Sequence, residues 1–216
     1  MIINQSAASI CKKLYEHNLE KVLEGADPKE SLSILQEALN SNSLSTTPKV
    51  ITSKKTLEEL HGVLSKDEYP LGMLGVKHKD LYLAKKVNND VIEEVHTGAI
   101  KLIQETSPWM YELFCSAIKA FIPIESPYPN RKAGFSSDYA KGFTFYAYPD
   151  ESSEKNIIET AVDYIHESSH QLTFLINEVD FLIEGDREQA VFSAIKNEER
   201  PAILALHGAI ALAHMS

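Results

Sequence analysis

Residues 162–171, Val-Asp-Tyr-Ile-His-Glu-Ser-Ser-His-Gln, carry the spacing His-Glu-x-x-His at His166, Glu167 and His170. On a helix that turns by about 100° per residue, the two histidines lie one turn apart on one face, where both can bind a single metal ion. Apolar residues recur at three- and four-residue steps through this region, which predicts an amphipathic helix. These residues are Ile158, Ala161, Ile165, Leu172, Ile176 and Val179. The histidines are rotated by roughly 100° from this stripe, so we expect them to border the core.

The same motif has a simpler interpretation without a metal. Two histidines one turn apart on an amphipathic helix can be solvated or capped side chains. The pair lies on a long helix with a coherent apolar stripe, however, and a metal site requires its ligands on such a stable element. The sequence therefore favours a metal site at His166 and His170.

Composition and charge restrict the classes of partner. The 216 residues are enough for one sizeable core, and 44% of them are hydrophobic, as in ordinary globular proteins. Lys and Arg total 21 against 31 Asp and Glu, a net charge of -10. This balance argues against nucleic acid or an anionic membrane as the main partner, whereas a neutral or basic peptide substrate is compatible with it.

The cellular compartment is predicted from cysteines and from the apolar segments. Cys11 and Cys115 are far apart and belong to no paired motif, so we expect reduced thiols and no disulfide framework. The N-terminus shows no signal-peptide pattern, and no stretch reaches the roughly 18 apolar residues that a membrane span needs. The sequence thus predicts a soluble, cytoplasmic protein.

Two regions are expected along the chain. Residues 1–48 form a helical N-terminal region, with helices from Ser6 to about Glu24 and from Asp27-Pro28, followed by a linker that ends at Pro48. This region either forms an appendage or packs as part of the same domain. Residues 49–216 form the metal-binding domain that contains the His-Glu-x-x-His motif.

Further helices are predicted ahead of the motif. A helical region runs from about Leu81 to Gln104, and Ser107-Pro108 provides an N-cap followed by proline at the first helical position of the next helix. Three histidines in this half each lack a spaced partner, so we expect surface or capping roles for them. They are His61, His78 and His96.

The hydrophobic period changes to two residues between the helices. Strands are predicted at Ala120–Glu125, around 134–137 and within Lys141–Tyr148. The expected fold is therefore α+β and mostly helical, with a zincin-like helix packed on a small antiparallel sheet whose edge can hold an extended peptide.

The C-terminal part supplies a third candidate ligand. A short helix is expected through Ala190, Val191 and Ala194, and the apolar, alanine-rich residues 202–215 predict a buried helix. A histidine desolvated in such a helix needs a hydrogen-bond partner or a metal, which makes His207 the natural third ligand. His214 lies two turns further on, where helix ends fray, and is expected to contribute little.

These residues together resemble a known family. The His166-Glu167-x-x-His170 motif, Arg200-Pro201 and Leu206-His207-Gly208, followed by a small-residue apolar helix, resemble the alpha-ketoglutarate-dependent HExxH-type peptide beta-hydroxylases. The resemblance covers roughly residues 135–215. It implies a non-haem Fe(II) enzyme that uses alpha-ketoglutarate and O2 to hydroxylate a side-chain beta-carbon of a peptide or protein, with the precursor of a ribosomal natural product as one candidate substrate.

The resemblance also implies roles for individual residues. His166, His170 and His207 would be the Fe(II) ligands, and Arg200 would pair with a carboxylate of alpha-ketoglutarate. Family members often carry a Pro-Trp-Arg-like stretch shortly before the Arg-Pro pair, where this chain has Ala-Ile-Lys. Lys196 therefore replaces a planar guanidinium fork by a point charge.

Two other functions fit the same motif. In a zinc metallopeptidase, the histidines would hold Zn and Glu167 would be the catalytic general base for a metal-bound water. The third zinc ligand would then come from a downstream residue, namely Glu178, Asp180, Glu184 or a histidine. In a binding module, the helix would only imitate the motif. Arg200-Pro201 and Leu206-His207-Gly208 favour the oxygenase, because a peptidase does not need them.

Overall fold

The computed structural model describes residues 47–53, 82–83, 88–125, 134–136, 142–179, 183, 185–186 and 188–215. Within these ranges the chain forms an α+β fold with four helices and seven short strands. The helices are α1 (Asn89–Thr106), α2 (Pro108–Ala117), α3 (Glu154–Val179) and α4 (Ala202–Met215). The strands are β1 (Lys49–Val50), β2 (Tyr82–Leu83), β3 (Ala120–Glu125), β4 (Gly134–Ser136), β5 (Phe143–Tyr146), β6 (Ala190–Ser193) and β7 (Glu198–Pro201).

Helices α2, α3 and α4 agree with the periodicity of the sequence. The helical region predicted from about Leu81 is wrong at its start, because Tyr82–Leu83 form β2 and α1 begins at Asn89. The motif lies in the middle of the 26-residue helix α3, and α4 covers the apolar C-terminal segment. Pro108 occupies the first turn of α2 after Ser107, as its sequence predicts, although Ser107 makes no side-chain capping hydrogen bond. None of the described helices is long and apolar enough to cross a membrane.

The main sheet is mixed, so the prediction of an antiparallel sheet is wrong in part. Its strand order is β1-β3-β5-β4, and β2 pairs with the other end of β3. β3 runs parallel to both β1 and β5, whereas the β4–β5 and β2–β3 pairs are antiparallel. Two-residue alternation identifies extended segments, but it does not select their partners. All four residues of β5 are buried, which is typical of an interior strand.

A β-hairpin replaces the short helix that was expected through Ala190, Val191 and Ala194. Strands β6 and β7 are antiparallel, with Val191 opposite Arg200. The turn between them ends at Asn197, which has a left-handed φ of 54°, a conformation that asparagine tolerates better than most residues. The pairing of the two strands thus overrides the helix propensity of the alanines.

Helix α4 is buried on one side only, which limits the prediction of a buried helix to one of its faces. Its buried residues, Ile203, His207 and Ala211, recur every four positions on the face that packs against α3. Leu212 is 52% exposed on another face. A wholly apolar sequence does not show which side of a helix is covered, because every face has the same composition.

The expected surface or capping role of His96 is wrong, because His96 lies in the core. Its Nδ1 is 2.7 Å from the hydroxyl of Tyr164, and its Nε2 is 3.0 Å from the carbonyl oxygen of Pro48. The hydroxyl of Tyr148 lies 2.6 Å from that of Tyr164 and completes a buried polar cluster. Phe121 stacks on Tyr164 with a ring separation of 4.0 Å. The cluster joins α1, α3 and the residues beside the sheet.

Several of the sequence predictions concern residues that the structure does not describe. The N-terminal helices, most of the linker, His61 and His78 lie outside the described residues. The division of the chain near residue 48 therefore stays a prediction. Within the second region, β1 begins at Lys49 and joins the main sheet through β3.

Burial of His96 predicts a specific dependence of stability on pH. Burial lowers the pKa of His96 to about 4, and the hydrogen bond to Pro48 opposes this shift. The folded state therefore binds fewer protons than the unfolded state between pH about 6.5 and about 4, and stability is lost as the pH falls through that window. We expect the free energy of unfolding to fall by about 3 kcal/mol more in the wild type than in His96→Gln.

Urea unfolding of both metal-free proteins at pH about 7 and about 4 would measure this difference. The comparison isolates His96 because the other titrating groups are common to both proteins. The hydroxyls of Tyr148 and Tyr164 face His96 and stay protonated throughout, since burial raises the pKa of each. Parallel pH profiles for the two proteins would contradict the prediction.

Candidate metal centre

Hydrogen bonds to the sheet fix how α3 is rotated about its axis. The amide of Gln171 donates to the carbonyl oxygen of Phe143 at 2.8 Å and accepts from the backbone N–H of Gly142 at 2.9 Å. Two turns earlier on α3, Asp163 accepts a hydrogen bond of 2.8 Å from the hydroxyl of Tyr146. These contacts hold one face of α3 against the sheet. The motif histidines lie on a neighbouring face, where both side chains are half-buried.

His166 and His170 already stand at the separation of two ligands of one metal. Their Nε2 atoms are 3.1 Å apart. Two nitrogens at about 2.1 Å from a metal, at an angle of about 90–110°, would be separated by about 3.0–3.4 Å. Without an ion, the same distance suits a hydrogen bond from one imidazole to the other. The pair can therefore bind a metal without movement of the helix backbone.

His207 lies beside this pair. It is 4% exposed, its ring centroid is 5.8 Å from that of His170, and it contacts Phe174 at a ring separation of 4.7 Å. Among the described residues, no group of three His, Cys, Asp or Glu side chains is arranged to hold a metal ion. The structure thus brings the third histidine next to the pair but does not assemble three converging donors. A third bond would require these side chains to rearrange so that all three donors converge.

Two cations from the hairpin influence the same histidines. Burial lowers the pKa of His170 to about 3, and His166, His207, Lys196 and Arg200 lower it further. Burial and Lys196 also lower the pKa of His166, while Asp163 opposes the shift. Both imidazoles are therefore neutral at neutral pH, which is the form that binds metals.

The two hairpin cations differ in their surroundings. Lys196 is exposed in the turn between β6 and β7. Arg200 is on β7, its side chain is 22% exposed, and its Nε lies 3.5 Å from a carboxylate oxygen of Glu198. The hairpin thus holds a guanidinium in a sheltered position and an ammonium in water on the same side as the histidine pair.

Glu167 faces the sheet and is almost completely buried, at 4% exposure. Its Oε2 accepts a hydrogen bond of 2.8 Å from Ser136 on β4. Burial raises the pKa of Glu167 to about 8, an effect that the Ser136 bond reduces and Asp163 increases. A Cβ at Gly134 would lie only 3.1 Å from Oε1, so the strand approaches this carboxyl closely. Burial therefore favours the neutral form of Glu167 and packs its carboxyl against β4.

The structure brings together most of the predicted site residues. One region is surrounded by His166, His170, His207, Lys196 and Arg200. Glu167 lies on a different face of α3, toward the sheet. Asp180, Glu184 and the side chains of Glu178 and His214 lie outside the described residues. Asp163 and Ser136 were not predicted. Asp163 has a recognisable signal, because it precedes His166 by three residues and so shares its face.

Comparison with known proteins does not assign a function to this site. The chain matches no family model, and no curated protein is significantly similar to it. The interpretation of the site therefore depends on its own residues.

The position of His207 predicts that it contributes to metal affinity. Because two ligands alone hold a divalent ion weakly, we expect His207→Ala to weaken Fe(II) binding by at least about tenfold. The expected effect of His214→Ala, near the end of α4, is small. Anaerobic titration of each full-length variant with Fe(II) would measure the dissociation constants. Equal affinities for wild type and His207→Ala would contradict this assignment and direct the search to Glu178, Asp180 and Glu184.

Proposed function

We propose that this protein is a non-haem Fe(II)/alpha-ketoglutarate-dependent oxygenase that hydroxylates a side-chain beta-carbon of a peptide or protein. One observation carries the proposal. Lys196 and Arg200 lie close enough to His170 to lower its pKa, in a region where His207 also borders the histidine pair. A peptidase has no need of these cations, whereas a co-substrate with two carboxylates does.

The balance of charges supports an anionic co-substrate. His166, His170 and His207 are neutral ligands, so an Fe(II) ion bound by them keeps its full positive charge. Two further cations close by would oppose metal binding unless an anion is bound with the metal. Asp163 and Glu198 offset part of this charge, since Asp163 acts on His166 and a carboxylate oxygen of Glu198 lies 3.5 Å from Nε of Arg200. A dianion such as alpha-ketoglutarate would satisfy both the metal and the cations.

Each residue has a defined task in this proposal. Fe(II), alpha-ketoglutarate and O2 would supply the oxidising chemistry, with succinate and CO2 as products beside the hydroxylated peptide. The histidines would hold the metal on one side and leave the opposite side open. Arg200 would bind a carboxylate of the co-substrate through paired hydrogen bonds, and Lys196 would add a positive charge.

Glu167 supports the oxygenase over the peptidase. A general base must be ionised near neutral pH and must reach the water that it activates. Glu167 is buried on the sheet side of α3 and bonded to Ser136, so its carboxyl is poorly placed to reach a water at the histidine pair. The zinc peptidase nevertheless has one observation in its favour. The motif helix lies against β4, an edge strand of the sheet. We propose that this arrangement is zincin-like, with an edge strand that can hold an extended peptide.

The proposal is tested by anaerobic purification, metal analysis and an assay for succinate. We expect iron to bind and succinate to form from alpha-ketoglutarate only when both Fe(II) and O2 are present. His166→Ala is the matched control, because it removes one ligand at a half-buried position. Tight zinc binding together with peptide cleavage would contradict the oxygenase and establish the alternative.

Glu167→Gln separates the two enzyme classes. Because burial favours the neutral form of Glu167, which accepts a hydrogen bond from Ser136, glutamine should keep the packing and that bond. We expect succinate formation to stay within about tenfold of wild type, as for a group outside the metal's ligands. The measurement is the rate of succinate release at equal iron content. Complete loss of turnover with the metal retained would indicate a catalytic base.

Arg200→Ala tests the proposed co-substrate site. Loss of a paired, charge-assisted hydrogen bond should raise the KM for alpha-ketoglutarate by about tenfold or more at unchanged iron content. Arg200→Lys should recover only part of the loss, because an ammonium cannot form the paired bonds. Lys155→Ala, which removes a cation from the first turn of α3, is the matched control. If it raises KM as much as Arg200→Ala does, the effect is one of net charge alone.

A further inference from the structure

An apolar groove opens between α1, α2 and α3. It has a volume of about 640 Å³ and is lined mostly by aliphatic and aromatic side chains. We refer to it as the Trp109 groove; its main walls are Leu102, Trp109, Met110, Ile158, Val162 and Ile165. Its size lies within the usual range of ligand-binding clefts.

The exposure of its walls distinguishes this groove from ordinary core. Six large apolar side chains are exposed among the described residues, and three of them line the groove. They are Trp109 (45%), Ile158 (46%) and Val162 (49%). Exposed apolar side chains that share one concave surface are typical of a binding site, whereas scattered ones need no explanation.

The groove approaches the candidate metal centre along α3 through Val162, although neither motif histidine lines it. Val162 precedes His166 by four residues, so the two side chains are neighbours on one face of the helix. Four residues of helix span about 6 Å, which is about the length of two residues of extended peptide. A side chain in the groove would therefore belong to a residue about two positions from one that reaches the metal.

The charges around the groove indicate the composition of its occupant. Apart from the buried Glu167, four acidic and two basic side chains lie within three residues of the groove's walls. They are Glu105, Glu112, Glu159, Asp163, Lys101 and Lys155. Two of the acidic groups are paired with the two lysines. Asp163 accepts a hydrogen bond from Tyr146 on the sheet side of α3, which leaves the exposed Glu112 beside the groove. Together with the net charge of -10 for the whole chain, Glu112 favours a basic ligand.

We propose that the Trp109 groove holds an apolar side chain of an extended, basic peptide substrate, about two residues from the side chain that is modified. This inference rests on the proposed oxygenase function and names its substrate class. The groove would select the peptide, while the histidines and hairpin cations would act on the metal and co-substrate.

Binding can be tested without turnover. The probes are fluorescein-labelled heptapeptides Gly-Lys-X-Gly-Gly-Lys-Gly, in which X is Phe, Leu, Trp or Ala, measured by fluorescence anisotropy with the full-length protein. We expect the Phe, Leu and Trp peptides to bind at least about tenfold more tightly than the Ala peptide. Replacing both lysines of the Phe peptide by glutamates should weaken its binding.

Matched variants locate the binding surface. Val162→Gln and Ile158→Gln place a polar side chain in the groove, and each should weaken binding of the Phe peptide by at least about tenfold. Leu212→Gln makes the same kind of change on α4, at 52% exposure, and should leave binding unchanged. All three positions are exposed, so the variants are expected to fold, which circular dichroism would verify.

Three outcomes would overturn the proposal. The first is equal binding of the apolar and Ala peptides, or no binding by any peptide up to about 1 mM. The second is equal weakening by Leu212→Gln and Val162→Gln. The third is a wild-type dimer, seen by light scattering, that Val162→Gln converts to a monomer, because the groove would then join two copies. Since none of these readouts needs iron or succinate, failure of the groove is distinguishable from failure of the oxygenase.

Discussion

The side-chain amide of Gln171 joins α3 to the sheet through two hydrogen bonds, one donated to Phe143 and one accepted from Gly142. A buried amide that satisfies both its donor and its acceptor allows little rotation of the helix that carries it. This constraint decides which residues of the motif face the sheet and which face α4 and the hairpin. Glu167 is placed against β4, and the histidine pair is left at the border where His207, Lys196 and Arg200 approach.

The resulting division of polar groups explains why the two halves of the motif differ chemically. On the sheet side, Glu167 is desolvated and held by Ser136, so its neutral form is favoured. On the other side, burial and nearby cations keep the imidazoles unprotonated. Neutral imidazoles beside fixed cations are suited to a metal that carries an anionic ligand. The carboxyl group serves packing in this arrangement, and in the proposed oxygenase the chemistry would belong to the histidines and the hairpin.

Local periodicity was sufficient to predict α3, α4 and the positions of β3, β4 and β5, because each pattern is contained within its own segment. Partners that are distant in the chain were not predictable in the same way. The parallel direction of β3 and β5 depends on where β4 is placed between them in the chain. The burial of His96 depends on Pro48 and Tyr164, which are 48 and 68 residues away. The β6–β7 hairpin was missed because its alanines favour a helix locally. The histidine pair was predictable because helix geometry alone sets its spacing, whereas the approach of His207 depends on how α4 packs.

In the proposed site, His166, His170 and His207 hold one metal ion. Anomalous diffraction from crystals of the full-length protein loaded anaerobically with Mn(II), as a stable substitute for Fe(II), would test it most directly. We expect one anomalous peak at about 2.0–2.3 Å from a nitrogen of each of the three histidines, with the guanidinium of Arg200 nearby and outside ligand distance. A peak bound by His166 and His170 together with Glu178, Asp180 or Glu184, or no peak at this pair, would contradict it.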